Sequence, residues 1–219
     1  MSFDSERYTV CTYDGARDEL RLADRDGRTY LRSFENLSRA LSEDRTRVRF
    51  AMNAGMFNEL GAPIGLYVEN GVRGHRISLR RGAGNFHLLP NGVFWQDANR
   101  EVHVTESRAY AASPRAARLA TQSGPMLVID GAIHPRFSAD GDSRLIRNGV
   151  GVSDAHTAFF VISETDVSFG KFARFFRNRL HCRNALFLDG NVSSLWAPSL
   201  SRRDDARLIG PMIVVLSRP

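Results

Sequence analysis

Apolar and polar residues along this chain mostly follow the period of strands. Tyr8-Thr9-Val10-Cys11-Thr12-Tyr13 is β-branched and aromatic and is closed by Asp14-Gly15. Residues 19–23 alternate and then meet Asp26-Gly27, a hairpin signal. A further strand at 48–52 breaks into Asn53-Ala54-Gly55-Met56-Phe57. Residues 65–72 and 85–95 each read as a hairpin about an Asn-Gly turn, at Asn70-Gly71 and Asn91-Gly92. Strands follow at 101–105, at 123–129, at 149–152 with 158–162, and at 209–216. Residues 185–188 are apolar without alternation, which suits a strand covered on both faces. Helical spacing occurs three times. Residues 33–41 carry Phe34, Leu37 and Leu41, with Ser33 and Asn36 at the start. Residues 111–120 have Pro114 near the start, and 168–180 carry a Phe stripe best read as core. This order predicts an α+β fold of mixed, mainly antiparallel sheets with about three helices packed on them, as one domain over residues 1–219.

The bulk properties narrow the partners. At 42% hydrophobic and 25% charged the chain has an ordinary soluble composition, and no segment approaches the roughly 20 apolar residues of a membrane span. Met1 to Arg7 lacks the basic and apolar regions of a signal peptide. The chain as it stands reads as cytoplasmic; loss of an export signal would place it in the periplasm or outside the cell. The net charge is +6, and Lys171 is the only Lys, so the positive charge is arginine. Such a chain favours anionic partners. Its arginines are scattered, the only adjacent pairs being Arg80-Arg81 and Arg202-Arg203, the latter followed by Asp204-Asp205. No nucleic-acid-binding signature is present, so no nucleic-acid partner is expected. Cys11 and Cys182 form no CxxC; buried thiols and one long-range disulfide are both open.

Three apolar runs end in polar clusters, at Asn53, Asp130 and Asp189, and Arg144 to Gly149 forms a fourth before a strand. A carboxylate at the end of a covered strand is costly unless solvated, hydrogen-bonded or paired. Gly190 permits a positive φ or close backbone approach, and Ser193 and Ser194 add hydroxyls. The plainer reading, a strand-end turn, fits Asp189-Gly190 equally well and fits Asp130-Gly131 better. Arg147 leads as an anion clamp, since guanidinium binds phosphate bidentately; a surface salt bridge is the plainer alternative. Of six histidines His87 is best placed, beside the glycine turn at Gly84, and none shows metal-ligand spacing, so neither metal nor cofactor is expected. The chain lacks a phosphate loop, GxGxxG, GxSxG and HExxH.

Taken in order, Asn53-Ala54-Gly55-Met56-Phe57, Pro63-Ile64-Gly65-Leu66, Ser123-Gly124-Pro125-Met126-Leu127, Arg147-Asn148-Gly149-Val150-Gly151, Leu188-Asp189-Gly190 with Ser193-Ser194, and Gly210-Pro211-Met212 resemble the phosphodiester glycosidase family. The resemblance runs from Tyr8 to Leu216. It implies hydrolysis of the glycosidic bond of a sugar-1-phosphodiester, with Asp189 the essential carboxylate and Arg147 holding phosphate. By the same resemblance Asn53, in the catalytic set, and Asn148, Ser123, Ser193 and Ser194 orient substrate or donate hydrogen bonds; His87 joins the substrate-binding set on its place beside the glycine turn. Gly55, Gly124, Gly149 and Gly190 admit the backbone to it. Phosphate monoester is a good leaving group, with a second pKa of about 6, so a strong general acid is less necessary than in most glycosidases. One departure stands out: Asn191 and Val192 follow Asp189-Gly190 where the family commonly has further glycines. This implies a pocket unlike that of the mammalian members. Cys11 and Cys182 resemble a recurrent pair in the bacterial branch, which implies a disulfide and export. The competing class is a non-catalytic module that binds anionic or phosphorylated glycans through the same groups.

Overall fold

The computed structural model describes residues 1–113 and 116–219. Every pairing of its strands is antiparallel. A seven-stranded sheet runs in the order Ser2–Phe3, Glu6–Asp14, Thr157–Ser163, Asn148–Asp154, Asn184–Phe187, Met126–Ile129, Ala132–Ile133. A five-stranded sheet has the order Val102–Glu106, Gly92–Asp97, Ala117–Ser123, Tyr67–Glu69, Val72–His75. Another five-stranded sheet has the order Arg202–Arg203, Leu195–Ala197, Val48–Asn53, Met212–Ser217, Asp18–Ala23.

The period-2 patterning explains how these sheets meet. Each turns one apolar face into a common core that includes Tyr13, Leu22, Phe50, Phe94, Leu119, Phe160 and Ile213. One ring from each sheet meets at the centre: Phe160 lies 5.4 Å from Phe50 and 5.5 Å, edge-on, from Phe94. Each outer face carries its own helix. Helix α1 (Phe34–Leu41) puts Phe34 and Leu37 against Ala51, Trp196 and Val214, and Ser33 caps it by accepting from the Asn36 N–H at 3.1 Å. Helix α2 (Ser107–Ala112) puts Tyr110 among Val68, Trp95 and Ala120. Helix α3 (Phe169–Arg174) continues as a π-turn over Phe175–Arg179, and its Phe stripe packs with Val128, Val161 and Phe187. That stripe is core, as its spacing implies.

Three expectations are corrected. The helix at 111–120 is displaced: α2 ends at Ala112, and Ala117–Ser123 is a strand between Gly92–Asp97 and Tyr67–Glu69. Pairing on both edges overrides the helix propensity of the alanines; Pro114 itself lies outside the described residues. The hairpin about Asn91-Gly92 does not form. Residues 85–87 make a 3₁₀ turn, Asn91 is buried with its amide donating to Phe86 O at 2.9 Å, and Gly92 begins a strand. Its counterpart at Asn70-Gly71 does form, both residues having positive φ as a tight hairpin requires.

The third correction is the disulfide. Cys11 pairs in register with Phe160 and packs toward the common core, whereas Cys182 sits under α3, where a Cβ on Gly151 would meet its sulfur at 2.7 Å. The two thiols occupy opposite faces of the seven-stranded sheet and both are free. Burial pushes Cys11 up to about 11 and Cys182 up to about 12, so neither is a ready thiolate. The melting temperature should therefore be the same with and without dithiothreitol; a drop on reduction would show a bond between them. Among the described residues no helix is long and apolar enough to cross a membrane.

Candidate active site

The strand Val48–Asn53 ends at Asn53, and the strand Asn148–Asp154 begins at Asn148. These belong to different sheets, and their ends meet. Asn148 Nδ2 donates to Asn53 Oδ1 at 2.9 Å and to the Asn53 carbonyl at 3.0 Å. Asn53 Oδ1 also accepts from the Ser194 N–H at 2.8 Å, and Asn53 Nδ2 donates to the Asp189 carbonyl at 3.1 Å. Ser193 Oγ is 3.3 Å from Asn148 Oδ1. Both asparagines are almost completely buried, so these bonds decide whether burial is tolerable. They fasten both ends of the 189–194 turn to the sheet junction.

The strand Asn184–Phe187 delivers Asp189 to this junction. The Leu188 carbonyl accepts from Ser123 Oγ at 2.9 Å, and the Leu188 N–H donates to the Asn148 carbonyl at 3.1 Å. Asp189 is half-buried and its Oδ1 accepts from the Asn191 N–H at 3.3 Å. It has no ion-pair partner among the described residues. Burial holds its carboxyl above the usual carboxylate range, against the lowering effect of the Asn191 N–H. A carboxylate so placed is poised to take a proton from water. Gly190 follows with ordinary φ; a Cβ there would meet the Phe187 ring at 2.7 Å. Close packing, rather than a left-handed turn, requires that glycine. A Cβ on Gly55 would likewise strike the Gln122 carbonyl at 2.3 Å, and Gly124 and Gly149 abut Asn91 and the Leu186 carbonyl.

Beside the turn lies a cleft of about 660 Å³ lined by Ile146, Gly190, Asn191, Ser193, Arg202 and Arg207. Arg202 is neutralised by Glu164 at 2.6 Å and Asp204 at 2.8 Å, and Arg203 by Asp205 at 2.5 Å. Arg207 donates through Nη1 to the Asn191 carbonyl at 2.9 Å and has no ion pair among the described residues. No sequence signal singled it out: it is one arginine among many, and only the folding back of its loop brings it here.

Arg147 is placed differently from Asn148. Neighbouring strand residues face opposite ways, and the Arg147 side chain lies fully buried on the α3 side of its sheet. Its guanidinium stacks over Phe169 at 3.6 Å and lies 5.5 Å from Phe187. Nε donates to the Val167 carbonyl and Nη2 to the Ser143 carbonyl, both at 2.8 Å, while Nη1 has no hydrogen-bond partner. Desolvation pulls its pKa down to about 10. This is neither a surface salt bridge nor an open clamp, but a buried cation with a donor to spare. His87 lies apart from the junction: its Nδ1 is 2.9 Å from the Arg80 carbonyl and its ring packs on Phe86 and Gly82. Asp130 is the exposed turn its sequence suggests, 3.5 Å from Arg183. Elsewhere Asp97, Glu101 and His103 bring ligand atoms within 4.8 Å of one another, unannounced by histidine spacing; Asp97 there accepts the Glu101 N–H of its turn.

This junction can be set beside known proteins. The sequence profile of the phosphodiester glycosidase family matches residues 46–216, which include every residue of the junction. The chain belongs to that family. Uncharacterized protein YigE of Escherichia coli (strain K12) is 38% identical over 150 residues, 68% of this chain and 58% of that protein. The chain thus spans less than two thirds of this curated relative's length. The catalytic domain of zebrafish N-acetylglucosamine-1-phosphodiester alpha-N-acetylglucosaminidase, auto-inhibited by its pro-peptide, superposes with a TM-score of 0.65 at 13% identity. That match covers 97% of this chain and 83% of the other. A hypothetical protein from Synechocystis gives 0.60 at 16% identity over 99% and 61%. At such identities both establish the shared fold. Within the phosphodiester glycosidase family the 189–194 turn here is a 3₁₀ turn with Asn191 exposed, a conformation that tolerates Asn191 and Val192.

Proposed function

We propose that this protein hydrolyses the glycosidic bond of a sugar-1-phosphodiester, with Asp189 as the essential carboxylate. The observation that carries the reading is Asp189 itself. It is half-buried, without an ion pair and raised by burial; its carbonyl is held by buried Asn53, and the next residue, Gly190, lines the cleft. Membership of the phosphodiester glycosidase family supports the reaction class. Water attacks the anomeric carbon, Asp189 takes its proton or stabilises the oxocarbenium-like centre, and the anomeric C–O bond breaks. A free sugar and a phosphate monoester result, the leaving oxygen carrying the bonding pair.

Charge on the leaving phosphate is met by arginine. Arg207 sits on the cleft with donors beyond the one given to Asn191, whereas Arg147 is buried away from it. Asn53 and Asn148 hold Asp189 in place, and Ser193 faces the cleft.

The test is incubation of the pure protein with a panel of sugar-1-phosphodiesters, following the monoester by phosphorus NMR. Turnover is expected on at least one; binding across the panel without turnover would mark a glycan-binding module. Arg207→Ala should raise KM several-fold with less effect on kcat, since it removes a binding contact from an exposed side chain. A variant with unchanged KM would remove Arg207 from phosphate binding.

A further inference from the structure

Between Glu69 and Asp97 the chain has four arginines, Arg73, Arg76, Arg80 and Arg81, and no carboxylate. All four are exposed, and none of their guanidinium groups has a hydrogen-bond or ion-pair partner among the described residues. By contrast Arg21, Arg47, Arg49 and Arg202 each lie within 3.1 Å of a carboxylate. Arginines without an ion pair occur elsewhere too, Arg147 and Arg207 among them, but this segment brings four together with no carboxylate in it.

That segment is held in place. Residues 76–82 belong to no strand. Buried Gln122 takes the part of a strand partner: its Oε1 accepts from the Ser78 N–H at 2.9 Å and its Nε2 donates to the Ser78 carbonyl at 2.7 Å. The same side chain accepts from the Leu66 N–H and donates to Ser107 Oγ, both at 2.9 Å. Arg76, Arg80 and Arg81 are thus carried on a strap pinned to the second sheet, and Arg73 on the edge strand before it. The strap forms one wall of a cleft of about 840 Å³, opposite Asn58, Pro63 and Ile64. Those residues belong to the loop that leaves the junction at Asn53, and Ile64 N donates back to the Met56 carbonyl at 3.1 Å.

We propose that this strap and cleft form a second binding site, for the phosphate-bearing chain of an extended anionic glycan. The assignment rests on the phosphodiester reading of the Asp189 site, of which the glycan would be the larger substrate. Phosphates meet the arginines, and sugar rings lie on Pro63, Ile64 and Ile77. A nucleic acid fits less well, because Tyr67 and Phe86 are buried and the strap exposes no Phe, Tyr or Trp for bases to stack on. A planar lipid surface fits less well because the site is concave.

The test uses the Asp189→Asn chain, so that binding is read without turnover. Yeast phosphomannan is the probe, with uncharged mannan, a 20-nucleotide single-stranded DNA and phosphatidylglycerol vesicles as comparators. Phosphomannan should bind, with affinity falling as salt rises by a log–log slope of roughly 2 to 3, one ion for each phosphate neutralised. Arg76→Ala/Arg80→Ala/Arg81→Ala in that background should weaken it about tenfold or more. In the otherwise unaltered protein the same substitutions should leave turnover of a small sugar-1-phosphodiester unchanged. Undiminished phosphomannan binding by the triple variant, equal binding of mannan, or tighter arginine-dependent binding of the DNA or the vesicles would each overturn the proposal. Failure of the Asp189 reading shows separately, as no turnover of any small diester while the strap binding persists.

Discussion

Asp189→Asn is expected to lower kcat by roughly 10²–10⁴-fold, the usual contribution of a positioned proton acceptor, while the protein melts at or above the wild-type temperature near neutral pH. The two halves have one cause. Burial raises the Asp189 carboxyl above the usual carboxylate range. The folded chain therefore holds this proton more tightly than the unfolded chain does. Stability falls as pH rises from the ordinary aspartate pKa of about 3.9 through the raised folded value, and the penalty is complete above it. Asparagine keeps the shape and the Asn191 contact surface without that charge. Calorimetry at pH 7 and at pH 4 checks the second half: the variant's advantage should shrink toward acid. The wild-type acid limb of kcat/KM should lie above the ordinary carboxylate range and vanish in the residual activity of the variant. A variant with near wild-type turnover removes Asp189 from the mechanism; one that is strongly destabilised removes the argument that its charge is strained.

Asn53→Ala should act in the opposite sense on stability. It leaves one of the two Asn148 amide hydrogens and the Ser194 N–H without an acceptor, in a buried junction. Each buried orphan costs about 1–3 kcal/mol, so a loss of about 2–4 kcal/mol is expected by urea unfolding. Turnover should fall even where the variant is fully folded, because the Asp189 carbonyl loses its tether. Asn148→Ala breaks the same amide–amide bond, so the double variant should cost less than the sum of the two. Additive losses would mean that the two asparagines act independently, contrary to the geometry.

Much of this was legible in the chain. Strand alternation marked most of the three sheets, and the Phe stripe from Phe169 to Phe176 marked α3, because both patterns report a single buried face. The middle helix failed because the alanines before Thr121 carry local propensity only, and their strand partners lie twenty or more residues earlier, at Trp95 to Asp97. Asn91-Gly92 failed for a like reason: the dipeptide is a turn signal locally, but a buried contact with Phe86 O claims the Asn side chain. At the site, Asn53, Asn148, Ser193, Ser194 and Asp189 were found as separate strand ends and do converge. Their roles were not readable, since which atoms face each other depends on sheet register. Arg147 and Asn148 show this best: adjacent in sequence, they point to opposite sides of one sheet. The fate of the cysteines turned on the same alternation.

The amide bridge between Asn53 and Asn148 joins residues 95 apart, and Asn53 meets Ser194 across 141. Such a site has no local precursor: no fragment short of residues 53–194 contains it, and it is assembled only when two separately paired sheets close on each other. Regain of activity after dilution from denaturant should accordingly keep pace with the last long-range closure of the fold rather than with the appearance of its strands. Turnover of the substrate proposed above then becomes a clock for the final folding step.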